Sequence, residues 1–385
     1  MTMLFMDGFD TKDQDIKYVM AATNGLSINN SLNYGAATRF SSGFAFTPPN
    51  QGSGGTQYGT GVTTYTKSLT PSSQVFVGAA MQAGSTAAAT NQAAGPGAPF
   101  FVLGGDSGST FHLYLDVNAN GVVELYRGNG TAMATSGNPL TYIPDGTKLA
   151  SSSTNAMPTG WHFVEMSAVI NASSGSATVK VDGATVISFT GNTKNGGTST
   201  NIDTLVLVGM SSITLGVAYI YLNSPVYDDL YVLSSSGASN NTFLGDSRVQ
   251  TCLPTANGTY TQLTPHGLVG ANQWGNAAQV PRNYPSYYNG STATSQQDTY
   301  VMSDLTPATG TVYALQQVSN VIKSDAGAAS CKNVQKSGAT VSYGVTSALT
   351  TNMTSNLDMF ETNPATSAAW TPSGVNGLEA GIASV

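Results

Sequence analysis

The chain has 385 residues, a formal net charge of −7 and only 9% charged residues, against about 25% in an ordinary soluble domain. Its 13 Lys and Arg are scattered rather than clustered, which argues against a footprint for phosphate backbones and so against nucleic-acid binding. A hydrophobic content of 40% supplies a sizeable core and argues against disorder, while no apolar run approaches the ~20 residues that a membrane span requires.

In chain order, "MTMLFMDGFD" reads as a strand entering an acidic turn. It has neither the basic start nor the continuous apolar stretch of a secretory signal, so the product is expected to remain cytoplasmic unless it leaves within an assembly. "DGFDTKDQD" presents Asp7, Asp10, Asp13 and Asp15. Closely spaced oxygen ligands suit Ca2+, the only cofactor the sequence raises, although the spacing matches no EF-hand and aspartate is also an ordinary turn residue. Asp228 and Asp229 would join such a site if the two ends of the first domain meet.

"GGDSGST" at 104–110 resembles the surroundings of a trypsin-like nucleophilic serine. No histidine precedes His112 to serve as the base, so a glycine-rich turn is the better reading. "TFHLYLDV" and "VVELYRG" alternate across "NANG" as a hairpin, and "ATVKV" and "ATVISF" flank the Asp182-Gly183 turn, a strong hairpin signal. Glu124 and Glu165 alternate with apolar neighbours and are expected on a solvated face rather than as a glycosidase pair. "TLVLVGM", "VAYIYL" and "DDLYVL" then read as buried strands.

The polar stretch "SSSGASNNT" at 234–242 reads as a linker. Beyond it, "SRVQTCL", "DTYVMSDL", "TVYALQQVSNVIKS", "CKNVQKSG", "TVSYGV" and "DMFETN" predict a second β series. The fold class is thus all-β, with two β-sandwich or jelly-roll domains over 1–235 and 243–385, a linker at 236–242, and one short C-terminal helix. That helix has Thr371 as N-cap, Pro372 in its first turn and Gly381 at its end. Cys252 and Cys331 are expected as free thiols, with a Cys252–Cys331 disulfide the alternative if the protein works outside the cell. The loop "NQWGNAAQVPRNYPSYYNGS" carries Trp274, Tyr284, Tyr287 and Tyr288. Such aromatics bury against a neighbouring subunit, cap a sandwich end or stack on sugar rings.

Several stretches together resemble a group of tailed-bacteriophage virion proteins with an N-terminal concanavalin A-like (laminin G-like) jelly roll. They are "MLFMDGFD", "WHFVEMSAVI" with "ATVKVDGATV", and above all "DDLYVLSSSGASNNTFLGDSRVQTCLPTANGTYTQLTP". "DTYV", "DAGAASCKNVQKSG" and "ETNPATSAAWTPSGVNGLEAG" extend the likeness into the second half, whereas Cys252 and Cys331 depart from it. The resemblance implies a non-enzymatic structural component of a virion, tail-associated as a fibre or tip, partnered by other virion proteins and by copies of itself, with a trimer expected. Two alternatives stand beside it: a capsid decoration or head-fibre protein, and a receptor-binding protein for host-surface glycans.

Overall fold

The computed structural model describes residues 2–22, 33–34, 39, 45–47, 62–82, 98–118, 120–129, 146–210, 213–215, 218–220, 225–267 and 272–385. The chain divides into two compact units. The N-terminal unit holds Thr2–Asp10 and Tyr18–Val249, and the C-terminal unit holds Thr11–Lys17 with Gln250–Val385. No helix among the described residues is long and apolar enough to cross a membrane.

The N-terminal unit contains strands β1 (Met3–Asp7), β2 (Val19–Ala22), β3 (Asn33–Tyr34), β4 (Phe46–Thr47), β5 (Val62–Ser72) and β6 (Gln74–Gln82). It continues with β7 (Ala98–Gly105), β8 (Thr110–Val117), β9 (Val123–Gly128), β10 (Gly146–Ser151), β11 (Trp161–Val169) and β12 (Gly175–Val181). β13 (Ala184–Gly191), β14 (Ile202–Met210), β15 (Ile213–Leu215), β16 (Ala218–Ile220) and β17 (Val226–Ser234) complete it. One sheet runs β13-β12-β11-β6-β17-β4-β3 with β1 also on β17, and the other runs β10-β9-β8-β7-β14-β5-β2. Ring contacts join the two sheets: Phe46 of β4 meets Tyr65 of β5 edge-on at 4.8 Å, and Phe101 of β7 lies 6.5 Å from Tyr227 of β17. The Asp182-Gly183 turn forms as read, with Asp182 at φ 49° and Gly183 at φ 81°, the left-handed pair that such a hairpin requires. Of "VAYIYL", the side chains lie outside the described residues.

The C-terminal unit contains α1 (Gln14–Lys17), β18 (Pro254–Thr261), β19 (Thr264–His266), α2 (Gln273–Ala277), β20 (Tyr288–Gly290) and β21 (Gln297–Met302). β22 (Leu315–Val321), β23 (Ser330–Ser337), β24 (Thr340–Tyr343), β25 (Ser347–Ala348), β26 (Thr354–Phe360), α3 (Pro372–Asn376) and β27 (Leu378–Ser384) follow. Its main sheet runs β18-β21-β27-β23-β24 with β25 on β23, while β22 pairs with β26 and β19 with β20. Trp370, Val375 and Leu378 form an apolar cluster with Leu305, Val312, Leu315 and Phe360. The interior also carries a polar network: Ser319 Oγ donates to Asn333 Oδ1 at 2.6 Å, and Asn333 Nδ2 donates to Asp358 Oδ2 at 2.9 Å.

Two sequence expectations change. Thr371 caps α3 as predicted, its Oγ1 accepting from Gly374 N at 3.1 Å, but the helix stops at Asn376 rather than at Gly381. Leu378–Ser384 is instead a central strand. Gly381 serves there as a point of close approach, because a Cβ would lie 1.9 Å from the Asp298 carbonyl. "SRVQTCL" is not a strand. Its Val249 N–H donates to the Asp229 carboxylate at 2.7 Å rather than to a neighbouring strand.

Candidate functional site

β17 is the strand on which the aspartate pair sits, and its register explains the pair's burial. Asp228 faces Ala80 and Tyr231 faces Gly78, so Asp229 and Leu230 together oppose a single residue of β6. This is a β-bulge, with Asp229 at φ 55°, a conformation that Asp tolerates better than most residues. Asp228 and Asp229 are 8% and 2% exposed. Asp228 Oδ1 accepts from Asp229 N at 2.9 Å, and Asp229 Oδ1 accepts from Val249 N at 2.7 Å. Arg39 reaches Asp229 Oδ2 at 3.3 Å, also pairs with Asp246, and lies 5.5 Å over the Phe163 ring. Burial, then the charge of Asp229, holds the Asp228 carboxyl well above the usual carboxylate range; burial raises Asp229 too, against the Val249 N–H bond and the pull of Arg39.

One step along the same face, Gly78 leaves room for the Tyr231 ring, whose carbons would lie 2.5 Å from a Cβ there. Tyr231 OH donates to Glu165 Oε1, and Gly245 N donates to the same oxygen at 2.9 Å. Glu165 is therefore 1% exposed rather than solvated. Glu124 likewise is 8% exposed, accepting from Tyr126 OH at 2.6 Å and Lys148 Nζ at 2.8 Å. Alternation along a strand identifies a face but not what covers it, and segment 243–249 covers the Glu165 face. Phe243 meets Phe76 edge-on at 5.1 Å.

The six aspartates raised as Ca2+ ligands are divided between the units. In the N-terminal unit, Asp7 accepts from Phe9 N at 2.8 Å and Tyr18 OH at 3.1 Å, while Asp10 acts on Asp228 through its charge. In the C-terminal unit, Asp13 pairs with Lys17 at 2.9 Å and Asp15 is forked onto Arg282. Among the described residues, no three His, Cys, Asp or Glu side chains gather where a metal ion could be held. Cys252 and Cys331 are free thiols; burial raises Cys331 to about 11, which leaves it protonated and unreactive at neutral pH. "GGDSGST" is a turn in which Ser109 Oγ donates to the Asp106 carbonyl, and His112 is wholly buried.

The aromatic loop of the C-terminal unit exposes two of its tyrosines. β19 and β20 pair through His266 and Tyr288, which stack at 4.3 Å and 10°. Tyr284 stands across Tyr288 at 5.6 Å and 62°. Tyr284 and Tyr288 are 42% and 37% exposed, whereas Trp274 and Tyr287 are half-buried. The structure thus brings Tyr284 and Tyr288 together and adds His266, which reading the loop by itself did not include. The signal lay in "TPHG" and "YYNG", two short stretches whose pairing closes the loop.

Asparagines hold this corner in place. Asn276 Nδ2 donates to Tyr288 O at 2.9 Å and Asn289 Oδ1 at 3.0 Å, and Asn289 Nδ2 donates to Gln273 O at 2.8 Å and Tyr300 OH at 2.9 Å. Gly267 is at φ 101°, where a Cβ would lie 2.0 Å from the Ser286 carbonyl. Gly267→Ala should therefore cost about 1–3 kcal/mol and weaken the near-UV circular dichroism of the loop aromatics; an unchanged melt and spectrum would show that the loop tolerates the side chain.

No protein-family model matches the chain, and no curated protein matches it. Among solved structures, the chain is similar to the cellulose-induced protein Cip1 at 12% identity and a TM-score of 0.36, over 63% of this chain and 100% of that one. The alginate lyase vAL-1 from Chlorella virus gives 10% identity and a TM-score of 0.36, over 61% and 98%. Carbohydrate-binding module CBM66 from Bacillus subtilis gives 8% identity and a TM-score of 0.29, over 56% and 95%. Likeness at this level does not indicate what the chain binds.

Proposed function

We propose that the chain is a non-catalytic glycan-binding protein whose contact surface is the His266–Tyr284–Tyr288 corner. The carrying observation is the exposure of two tyrosine rings at 42% and 37% on a hairpin fixed by Asn276 and Asn289. Exposed aromatic faces held rigidly lose little entropy on contact and suit the C–H face of a sugar ring. Glycan-array binding by the wild type, lost at least tenfold in Tyr288→Ala with an unchanged melting temperature, is the expected result. Equal binding by the variant would sink the assignment of this surface.

We propose a virus particle as the setting, on the strength of the ordered set of stretches that resembles phage virion proteins. We place the chain on the tail, where receptor contact occurs, rather than on the capsid as a decoration. Mass spectrometry of purified particles checks this: about 3 to 12 copies fit a closed tail ring, and many tens fit decoration.

A further inference from the structure

We infer that the hairpin corner takes uncharged sugars, neutral hexopyranose units, and discriminates against uronate, sialylated and sulfated glycans; this rests on the glycan-binding reading above. Three observations converge. Asn276 is 6% exposed, both its amide hydrogens are spent on Tyr288 O and Asn289 Oδ1, and its Oδ1 is a buried acceptor without a hydrogen-bond partner. Reversing the amide would set its oxygen against two other acceptors, so the assignment of Oδ1 is fixed by its neighbours. Being buried, that oxygen meets a ligand only where the corner opens to admit one, and it then suits a hydroxyl that donates, whereas a carboxylate or sulfate at neutral pH only accepts.

The second observation is charge. Arg282 is the sole Lys or Arg between Thr264 and Ser291, and its guanidinium is forked onto Asp15. Recognition of anionic sugars relies on Arg or Lys forks offered to the ligand. The third lies behind the corner: Asn289 Nδ2 donates to Tyr300 OH at 2.9 Å, and Tyr300 OH donates to Asp298 Oδ2 at 3.2 Å. A fully buried carboxyl thus backs the surface, where an anion binder would place a cation.

The test titrates the full chain at pH 7.5 with maltohexaose, cellohexaose and mannohexaose against alginate hexamer, sialyllactose and a heparin hexasaccharide. Saturation-transfer NMR and calorimetry are read at low and high salt. Expected is binding of at least one neutral oligosaccharide, unchanged by salt, with every charged probe at least tenfold weaker. Tyr288→Ala and Tyr284→Leu should each weaken saturation transfer to the protons of the neutral oligosaccharide at least tenfold while keeping the wild-type melt. Charged probes binding as tightly as neutral ones, and lost in Tyr288→Ala, overturn the neutral class and leave the glycan surface standing. Neutral binding that survives Tyr288→Ala, or no binding of any probe, overturns both.

Discussion

Replacing Asp13 by alanine is expected to destabilise the C-terminal unit by about 3–5 kcal/mol, the cost of leaving one member of a buried ion pair uncompensated. Asp13 and Lys17 meet at 2.9 Å with side chains only 3% and 4% exposed. Thr11 completes the arrangement: its Oγ1 donates to Asp13 Oδ1 and accepts from Lys17 Nζ at 2.8 Å. Asn320 Nδ2 of β22 adds a donor to Asp13 Oδ2 at 3.3 Å. Without the carboxylate, the Lys17 ammonium is held in a poorly solvated place with no opposing charge from Asp13. The double variant Asp13→Ala with Lys17→Met removes both charges and should recover much of the loss. Calorimetric melts of the three variants form a cycle, and a coupling near zero would refute the argument.

The second large effect has the opposite sign. Asp228→Asn should stabilise the protein, by an amount that grows with pH. An unfolded aspartate titrates at about 3.9, whereas burial and the neighbouring Asp229 charge hold the folded Asp228 carboxyl well above that range. The folded state therefore retains a proton that the unfolded state releases, and wild-type stability falls as pH rises through that window. The slope approaches about 1.4 kcal/mol per pH unit. The charged groups facing Asp228 are Asp229 and Asp10, which raise it, and Arg39, which lowers it less than burial raises it. Asparagine retains an oxygen to accept from Asp229 N and removes the ionisation. Urea unfolding at pH 4, 6 and 8 should show the variant matching the wild type at the lowest pH and exceeding it most at the highest. A pH-independent difference would show that Asp228 is not held protonated.

The aspartate pair also marks how far local reading reaches. "DDLYVL" reads as a buried strand, and it lies within one, Val226–Ser234. That Asp229 would sit in a bulge at φ 55° depends on the register against β6. A register is a property of two distant segments, so neither carries it alone. The same holds for Tyr284 and Tyr288, readable as exposed loop aromatics, against their contact with His266, which exists only because β19 meets β20.

What the sequence determined by itself is local. Alternation set the strands, Asp182-Gly183 set a turn through its tolerance of positive φ, and Thr371 with Pro372 set a helix start through capping. Low charge with abundant Gly, Ser, Thr and Asn marked an all-β chain. The tertiary structure alone decided that Glu165 lies under segment 243–249, that Thr11–Lys17 folds with the C-terminal unit, and that α3 yields to a central strand before Gly381. Those outcomes turn on which distant surface covers a given face, and a two-residue period carries no information about the neighbour it will meet.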